Sequence, residues 1–369
     1  MMKRNILAVA ISALLADILN ASEIYNKDGS KLELYGKVDI RHFFGKKSYE
    51  DDSRVNLGVK GNAQISDQIS GFGRTELAIK SNKNQYEKEN TYNLAYAGLK
   101  IADFGSFNYG RNYSTLYNIN IWTDVLPIYG GDSMSHIDTY ISGRNQNILT
   151  YSGTDFFGLI DGLNLTLQYQ AKNAESNKLS NQDYIKNKGY GFGVAAKYNI
   201  GWNIILGGSY TKSNYVLTLT QKVKGCDNNV AEGWNAGIKY DENNLYLAAM
   251  YGKTYNMSIF TGIADGNDTK QNCNQTDNIE LVSQYFFDEI GLKPSIAYVQ
   301  SKVKNLINPS NYQNENLTKY VSLGAFYYFN KNLTALIDYK INLVNSSQFA
   351  QKYGINSDNL FGLGLVYKF

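Results

Sequence analysis

The clearest regularity in this chain is alternation of apolar and polar residues with a period of two. In "LTALIDYKINL", Leu333, Ala335, Ile337, Tyr339, Ile341 and Leu343 fall on one face of an extended strand, and Thr334, Asp338, Lys340 and Asn342 on the other. "LELYGKVDIRHF" repeats the pattern: Leu32, Leu34, Val38 and Ile40 oppose Glu33, Tyr35, Lys37, Asp39 and Arg41. About sixteen such segments start near residues 31, 54, 70, 91, 106, 146, 164, 188, 202, 233, 244, 276, 292, 316, 332 and 358. A soluble sandwich also alternates, but it turns its polar face outward and needs no regularity of this kind over so many segments. An even number of antiparallel strands closes a barrel without an unpaired edge, apolar face to lipid and polar face to water. Connections alternate between short turns ("YDENN", "NIGW", "FDEIG", "FNKN") and long polar stretches such as 214–232, 256–275 and 345–357, the asymmetry of an outer-membrane barrel. The expected fold is therefore an all-β, 16-stranded antiparallel transmembrane barrel. Its last strand, "LFGLGLVYKF", carries Phe361, Leu363, Leu365, Tyr367 and Phe369 on one face, so the chain stops on an aromatic in mid-strand.

The first segment, "MMKRNILAVAISALLADILNA", has a basic start and then an apolar run, and reads as a secretory signal peptide over 1–21 despite Asp17 and Leu19. No domain boundary is visible after it, so 22–369 reads as one unit. No later apolar run reaches the roughly 18 residues of a helical membrane span. Composition agrees with a barrel: 31 Tyr and 33 Gly beside 3 Pro suit strands with aromatic belts at the membrane interfaces.

Charge narrows the function classes. Lys+Arg 36 against Asp+Glu 33, spread along the chain with no basic block, argues against a nucleic-acid surface. Cys226 and Cys273 lie in Asn-rich polar segments without metal or redox spacing; a disulfide between them is open in an exported protein. His42 falls on the outward face of the first strand, and His136 near Ser133 and Ser135 is poor support for a hydrolytic site, which needs the imidazole set against its nucleophile. Asp265, Asn267 and Asp268 lack the later glutamate of a calcium loop. Gly189, Gly191 and Gly193 are spaced by two, not as a dinucleotide-binding turn; they leave lumen space or admit another subunit. No catalytic residue, cofactor or metal site is expected.

"TDVLPIYGGDS" stands apart from the alternation, inside a non-strand stretch of about 112–143 that is longer than any other. So long a loop is usually functional. Together with "EIYNKDGSKLELYGKVD", "AYAGLKIADFGSFNYGRNY", "DFFGLIDGLNLTLQYQAKN", "KYDENNLYLAAMYG", "GLKPSIAYVQSK" and "YYFNKNLTALIDY", it makes essentially the whole mature chain resemble the general diffusion porins of Gram-negative outer membranes. The resemblance implies a trimer that passes small hydrophilic solutes and ions, with the third long loop folded inward to narrow the lumen. It also implies contact with outer-membrane lipid and lipopolysaccharide and first-strand contacts such as Val38 and Ile40 between subunits. The last strand ending at Phe369 reads in two ways, as a strand that pairs with the first to close the barrel and as a tag for the outer-membrane assembly machinery.

In that family, loop acids face basic residues on the wall, and a pore selects by size and by the charges at its narrowest zone. Asp124 matches the first family acid, Ile128 stands where a second is usual, and Asp132 follows the Gly130-Gly131 pair. On the wall, Lys37 and Arg144 match family basic residues, while Asn56 and Asn93 replace two family arginines. Arg54 and Arg41 share the faces of Asn56 and Lys37 and are candidates to compensate. Losses on both sides imply weak charge selectivity. Blander roles stay open: Lys37, Arg54 and Arg144 as ordinary lumen charges, Asp124 as a turn cap, and Ile128 as a packing anchor. Two other functions also stay open, a solute-specific channel and a surface structural or adhesive barrel acting through its loops.

Overall fold

The computed structural model describes residues 22–369 except 47–48, 84–89, 135–139, 173–187, 216–229, 258–259, 265–266, 272–273 and 307–313. The expected signal peptide, Cys226, Cys273, His136 and Asp265 lie outside the described residues. In chain order the strands are β1 (Ser22–Lys27), β2 (Ser30–Gly45), β3 (Tyr49–Asp51), β4 (Arg54–Ser66), β5 (Ile69–Lys80), β6 (Asn90–Ile101) and β7 (Gly105–Tyr113). After the long loop come β8 (Arg144–Gly153), β9 (Leu163–Gln170), β10 (Lys188–Gly201), β11 (Ile204–Tyr215), β12 (Val230–Glu242) and β13 (Leu245–Tyr255). The rest are β14 (Phe260–Ala264), β15 (Asn267–Gln271), β16 (Asn274–Tyr285), β17 (Leu292–Leu306), β18 (Asn316–Tyr328), β19 (Leu333–Asn342) and β20 (Leu360–Lys368).

Among the described residues sixteen of these close into one antiparallel ring. β2 pairs with β4, pairing runs strand to strand from β4 to β13, passes to β16 and on to β20, and β20 returns to β2. The seam is finished by a reciprocal backbone pair between Gly36 and Phe369, each N–H donating to the other's carbonyl at 3.0 Å. The period-two reading thus places all sixteen barrel strands, with starts displaced by about three residues at most. Four short strands lie beyond it: β1 hairpins onto β2, β3 caps the far end of β2, and β14 pairs with β15. The first of these carried a readable signal, since Asp28 and Gly29 (φ 52° and 75°) form the Asp-Gly turn favoured between twisted strands.

Alternation does what it predicted on the outside. Leu281, Ile296, Leu323, Ile337 and Leu365 stand exposed in mid-strand, and Tyr285, Phe287, Tyr327, Phe329 and Tyr367 follow towards the short turns as an aromatic rim. Among the described residues no helix is long and apolar enough to cross a membrane.

The inward face is polar in only part of its circumference. Between β7 and β8 the long loop turns into the barrel and lays Leu116, Ile119, Trp122, Met134 and Tyr140 against Ile205, Ala231, Ala248 and Met250 of β11–β13. Small wall residues make this approach possible: a Cβ on Gly193 would lie 2.1 Å from the Thr115 hydroxyl. Of the two readings open for the β10 glycines, Gly191 and Gly193 therefore leave lumen space, and the loop fills it.

Candidate functional site

Two wall carboxylates locate the loop. Asp338 on β19 accepts the backbone N–H groups of Ile128 (3.2 Å) and Tyr129 (3.3 Å) at one oxygen and the Ser322 hydroxyl (2.5 Å) at the other. Glu280 on β16 accepts the Ser133 N–H at 3.1 Å and the Thr123 hydroxyl. Both acids are buried, and each supplies carboxyl oxygens as acceptors for donors that the irregular loop backbone would otherwise leave unsatisfied. Neutral partners tie the rest: Tyr246 donates to the Trp122 carbonyl (2.6 Å) and Gln284 to that of Val125 (2.7 Å). Sequence reasoning passed over Glu280 and noted Asp338 only as a polar-face residue. Their available signal was an acid at an inward strand position, "NIELVSQY" and "LIDYK".

Beside the loop a cavity of about 1140 Å³ runs through the lumen. On the loop side it meets Asp124, Ile128, Tyr129, Gly130 and Gly131, and on the wall side Lys37, Arg41, Arg54, Arg74, Lys80 and Arg144, with Asn56 and Asn93 among them. Asp124 accepts the Tyr117 hydroxyl at 2.7 Å. Enclosure between loop and wall raises its carboxyl above the usual range; the Tyr117 hydrogen bond lowers it, Asp132 adds to the rise, and Arg144 and Arg41 oppose it. Arg144 lies 6.0 Å from the centroid of Tyr113, which stacks on Tyr117 at 4.9 Å, so this cation is built into the loop's root.

The other positions singled out in the sequence fall into different surroundings. Asp132 is drawn to the wall, accepting from Tyr320 (2.9 Å) and from Lys340 (3.3 Å). Ile128 packs on Leu336 and Val366 with Phe43 beside it, and its carbonyl accepts from Arg41 at 3.0 Å. It is both a loop anchor and part of the cavity lining. Arg41 also grips Asp39 with two N–H groups (2.7 and 3.0 Å), while Lys37 (3.9 Å) and Arg54 (3.7 Å) approach the same carboxylate. Three wall cations therefore share one buried acid, which the register explains, because Asp39 lies opposite Arg54 and Lys37 opposite Asn56.

A second acid sits further round the wall. Glu76 accepts from Arg74 (3.1 Å), Tyr35 (3.0 Å) and Asn93 (2.9 Å). Asn93 reaches it through an irregularity in pairing: Glu76 faces Leu94 but Leu77 faces Tyr92, leaving Asn93 as the extra residue of a bulge. A bulge re-aims side chains; without it Asn93 would share the outward parity of Ala95 and Ala97. Asp39, noted only on the polar face of its strand, and Arg74 and Glu76, not singled out in the sequence, were not among the expected constriction residues. Among the described residues no group of His, Cys, Asp and Glu is arranged to hold a metal ion.

A charged lumen narrowed by an inward loop, in a closed sixteen-stranded ring, matches what comparison with known proteins returns. The Gram-negative porin family profile matches residues 27–369. Outer membrane porin F of Xenorhabdus nematophila is 51% identical over 373 residues, and outer membrane protein F of Serratia marcescens 46% over 384, each alignment covering 100% of both chains. Among solved structures, OmpF of Salmonella typhi, in complex with daunomycin, superposes with a TM-score of 0.85 at 37% identity, covering 94% of this chain and 100% of that one. The chain belongs to the Gram-negative porin family, outer-membrane β-barrels that form channels for passive diffusion.

Proposed function

We propose that this porin is a homotrimeric, weakly charge-selective channel for small hydrophilic solutes, with a slight preference for anions. The observation that carries the selectivity is the composition of the lumen around the loop. Wall cations outnumber acids, but Asp39 offsets the Lys37–Arg41–Arg54 group and Glu76 offsets Arg74. Across the cavity Asp132 is engaged by Lys340, so Asp124 is the main loop charge facing the wall. Each surviving interaction is worth roughly 1 kcal/mol at 4 Å in bulk water and several times that near a low-dielectric wall, and the small positive remainder sets the sign.

Support for the trimer comes from the outward face of β4–β6. Register aligns Gly61, Gly73 and Ala97 in one row and Ala63 with Gly71 in the next. Flat small-residue surfaces let neighbouring backbones approach closely in lipid. The exposed Leu57 and Ile40 add apolar area on the same side. Phe369, held at the seam with Gly36, remains the candidate tag for the assembly machinery, and residues 1–21 the candidate export signal.

The test is single-channel recording of refolded protein in a planar bilayer under a KCl gradient. Three equal closing steps and a small reversal potential of anion-selective sign are expected. Strong cation selectivity would refute the charge accounting, and absence of openings would favour the adhesive-barrel reading.

A further inference from the structure

On the short-turn side of the loop the lumen wall changes character. Phe286, Lys293, Phe326, Tyr328 and Lys368 line the same cavity as Asp124, all close to strand ends next to short turns. Register sets Lys293 of β17 directly opposite Phe326 of β18, and the ammonium lies 4.5 Å from that ring's centroid and 5.8 Å from that of Tyr328. Phe326 and Tyr328 stack with centroids 6.1 Å apart and planes 11° off parallel, and Phe286 meets Tyr328 edge-on at 5.6 Å. Three rings from adjoining strands thus form one patch, with a lysine over it and Lys368 on the same lining. An acid on this lining, Asp241, lies 3.7 Å from Lys239 and also acts electrostatically on Lys293, so the carboxylate of a solute would add to a partly balanced group of charges.

A structural purpose for the lysine is to cover apolar rings with its methylene stem. Phe326 also packs against the Ile128–Leu336–Val366 cluster, but neither purpose accounts for Phe286 and Tyr328 beside it. They are half-buried and face the open lumen, where water contact with aromatic surface is unfavourable. Neighbouring inward positions on the same strands carry Gln284, Ser295 and Ser322, so barrel closure does not require aromatics at this level.

We infer that this patch is a weak binding station for small aromatic carboxylates, taking the ring against Phe326, Tyr328 and Phe286 and the carboxylate at Lys293 and Lys368. The inference rests on the channel reading and names a solute class for it. Rings stack in offset or edge-on geometry, and a cation beside them adds ionic attraction for a carboxylate. A station in a conducting lumen has to be weak, because a solute that binds tightly does not leave. Its place beyond the loop means that solute arriving from the long-loop side meets it after passing the narrow zone.

The experiment is block of KCl current through the refolded channel by phenylacetate, compared with cyclohexylacetate (same charge, no aromatic ring) and benzyl alcohol (aromatic ring, no charge). Phenylacetate is expected to halve the current at a concentration about fivefold below either control, the size of one exposed cation–π or ion-pair contact. Lys293→Gln should raise that concentration by a similar factor, Lys293→Arg should keep it, and the double change Phe326→Leu with Tyr328→Leu should erase the advantage over cyclohexylacetate. Equal half-block concentrations for the three probes would overturn the station, as would an unshifted value in a normally conducting Lys293→Gln channel. Absence of KCl openings before any probe is added would instead refute the channel reading itself.

Discussion

Asp39→Asn isolates the charge of the wall cluster from its shape. The carboxylate is fully buried, gripped by Arg41 at 2.7 and 3.0 Å and approached by Arg54 at 3.7 Å and Lys37 at 3.9 Å. Asparagine keeps the outline and one acceptor, so Arg41 retains a partner and its hold on the Ile128 carbonyl. What disappears is one negative charge behind a layer of three cations. For an ion passing about 6 Å away, a unit charge is worth ~0.7 kcal/mol in bulk water, and 0.1 M salt roughly halves it. The change has opposite sign for K⁺ and Cl⁻, so the permeability ratio should move towards anions by roughly three- to fourfold. The assay is the reversal potential under a KCl gradient, with heat-modifiable electrophoretic mobility as the check that the barrel is intact. An intact, conducting variant with an unmoved reversal potential would refute the claim that Asp39 holds the lumen field down.

Glu280→Gln should leave the barrel folded but weaken the two loop contacts at Ser133 and Thr123, at a cost of about 1–3 kcal/mol for setting a buried amide N–H where one of two accepting oxygens stood; open-channel current noise should rise with little change in selectivity. Ile128→Glu should shift selectivity towards cations by about as much as Asp39→Asn shifts it towards anions. It also withdraws an apolar anchor worth about 1.5–3 kcal/mol from Leu336 and Val366, so that channel should be noisier. Because enclosure raises the Asp124 carboxyl, it takes up its proton at a higher pH than an ordinary carboxylate as the solution is acidified. Loss of that negative charge should increase anion preference over this pH range, and Asp124→Asn should lack the step when reversal potential is recorded against pH.

Strand number, order and facing were legible because period two is fixed by backbone geometry and outward positions away from a subunit contact meet one solvent, lipid. Leu281, Leu323, Ile337 and Leu365 needed no partner to be placed. The lumen was less legible because inward residues are placed by parity but defined by neighbours on other strands. Asn93 shows the limit: its position beside Glu76 depends on a bulge opposite Leu77, and alternation alone turns it outward. Ile128 shows another, since the missing acid was readable while its seat on Leu336 and Val366, strands far along the chain, was not.

The same limit governs the electrostatics. Asp39, Glu76, Glu280 and Asp338 are all acids at inward strand positions, and their types and spacing do not distinguish them. Their partners divide them into two kinds. Asp39 and Glu76 meet guanidinium groups and reduce the field of the wall. Glu280 and Asp338 meet backbone N–H groups of the loop and set where the narrow zone lies. A carboxyl spent on a loop amide holds position, whereas one spent on an arginine tunes the potential felt by a passing ion. Changing Glu280 or Asp338 to its amide should therefore alter conductance noise with selectivity kept, and changing Asp39 or Glu76 to its amide should alter reversal potential with noise kept. If Asp39→Asn and Glu280→Gln gave the same mixed phenotype, aperture and field would share one network, and the division of roles read from these contacts would be wrong.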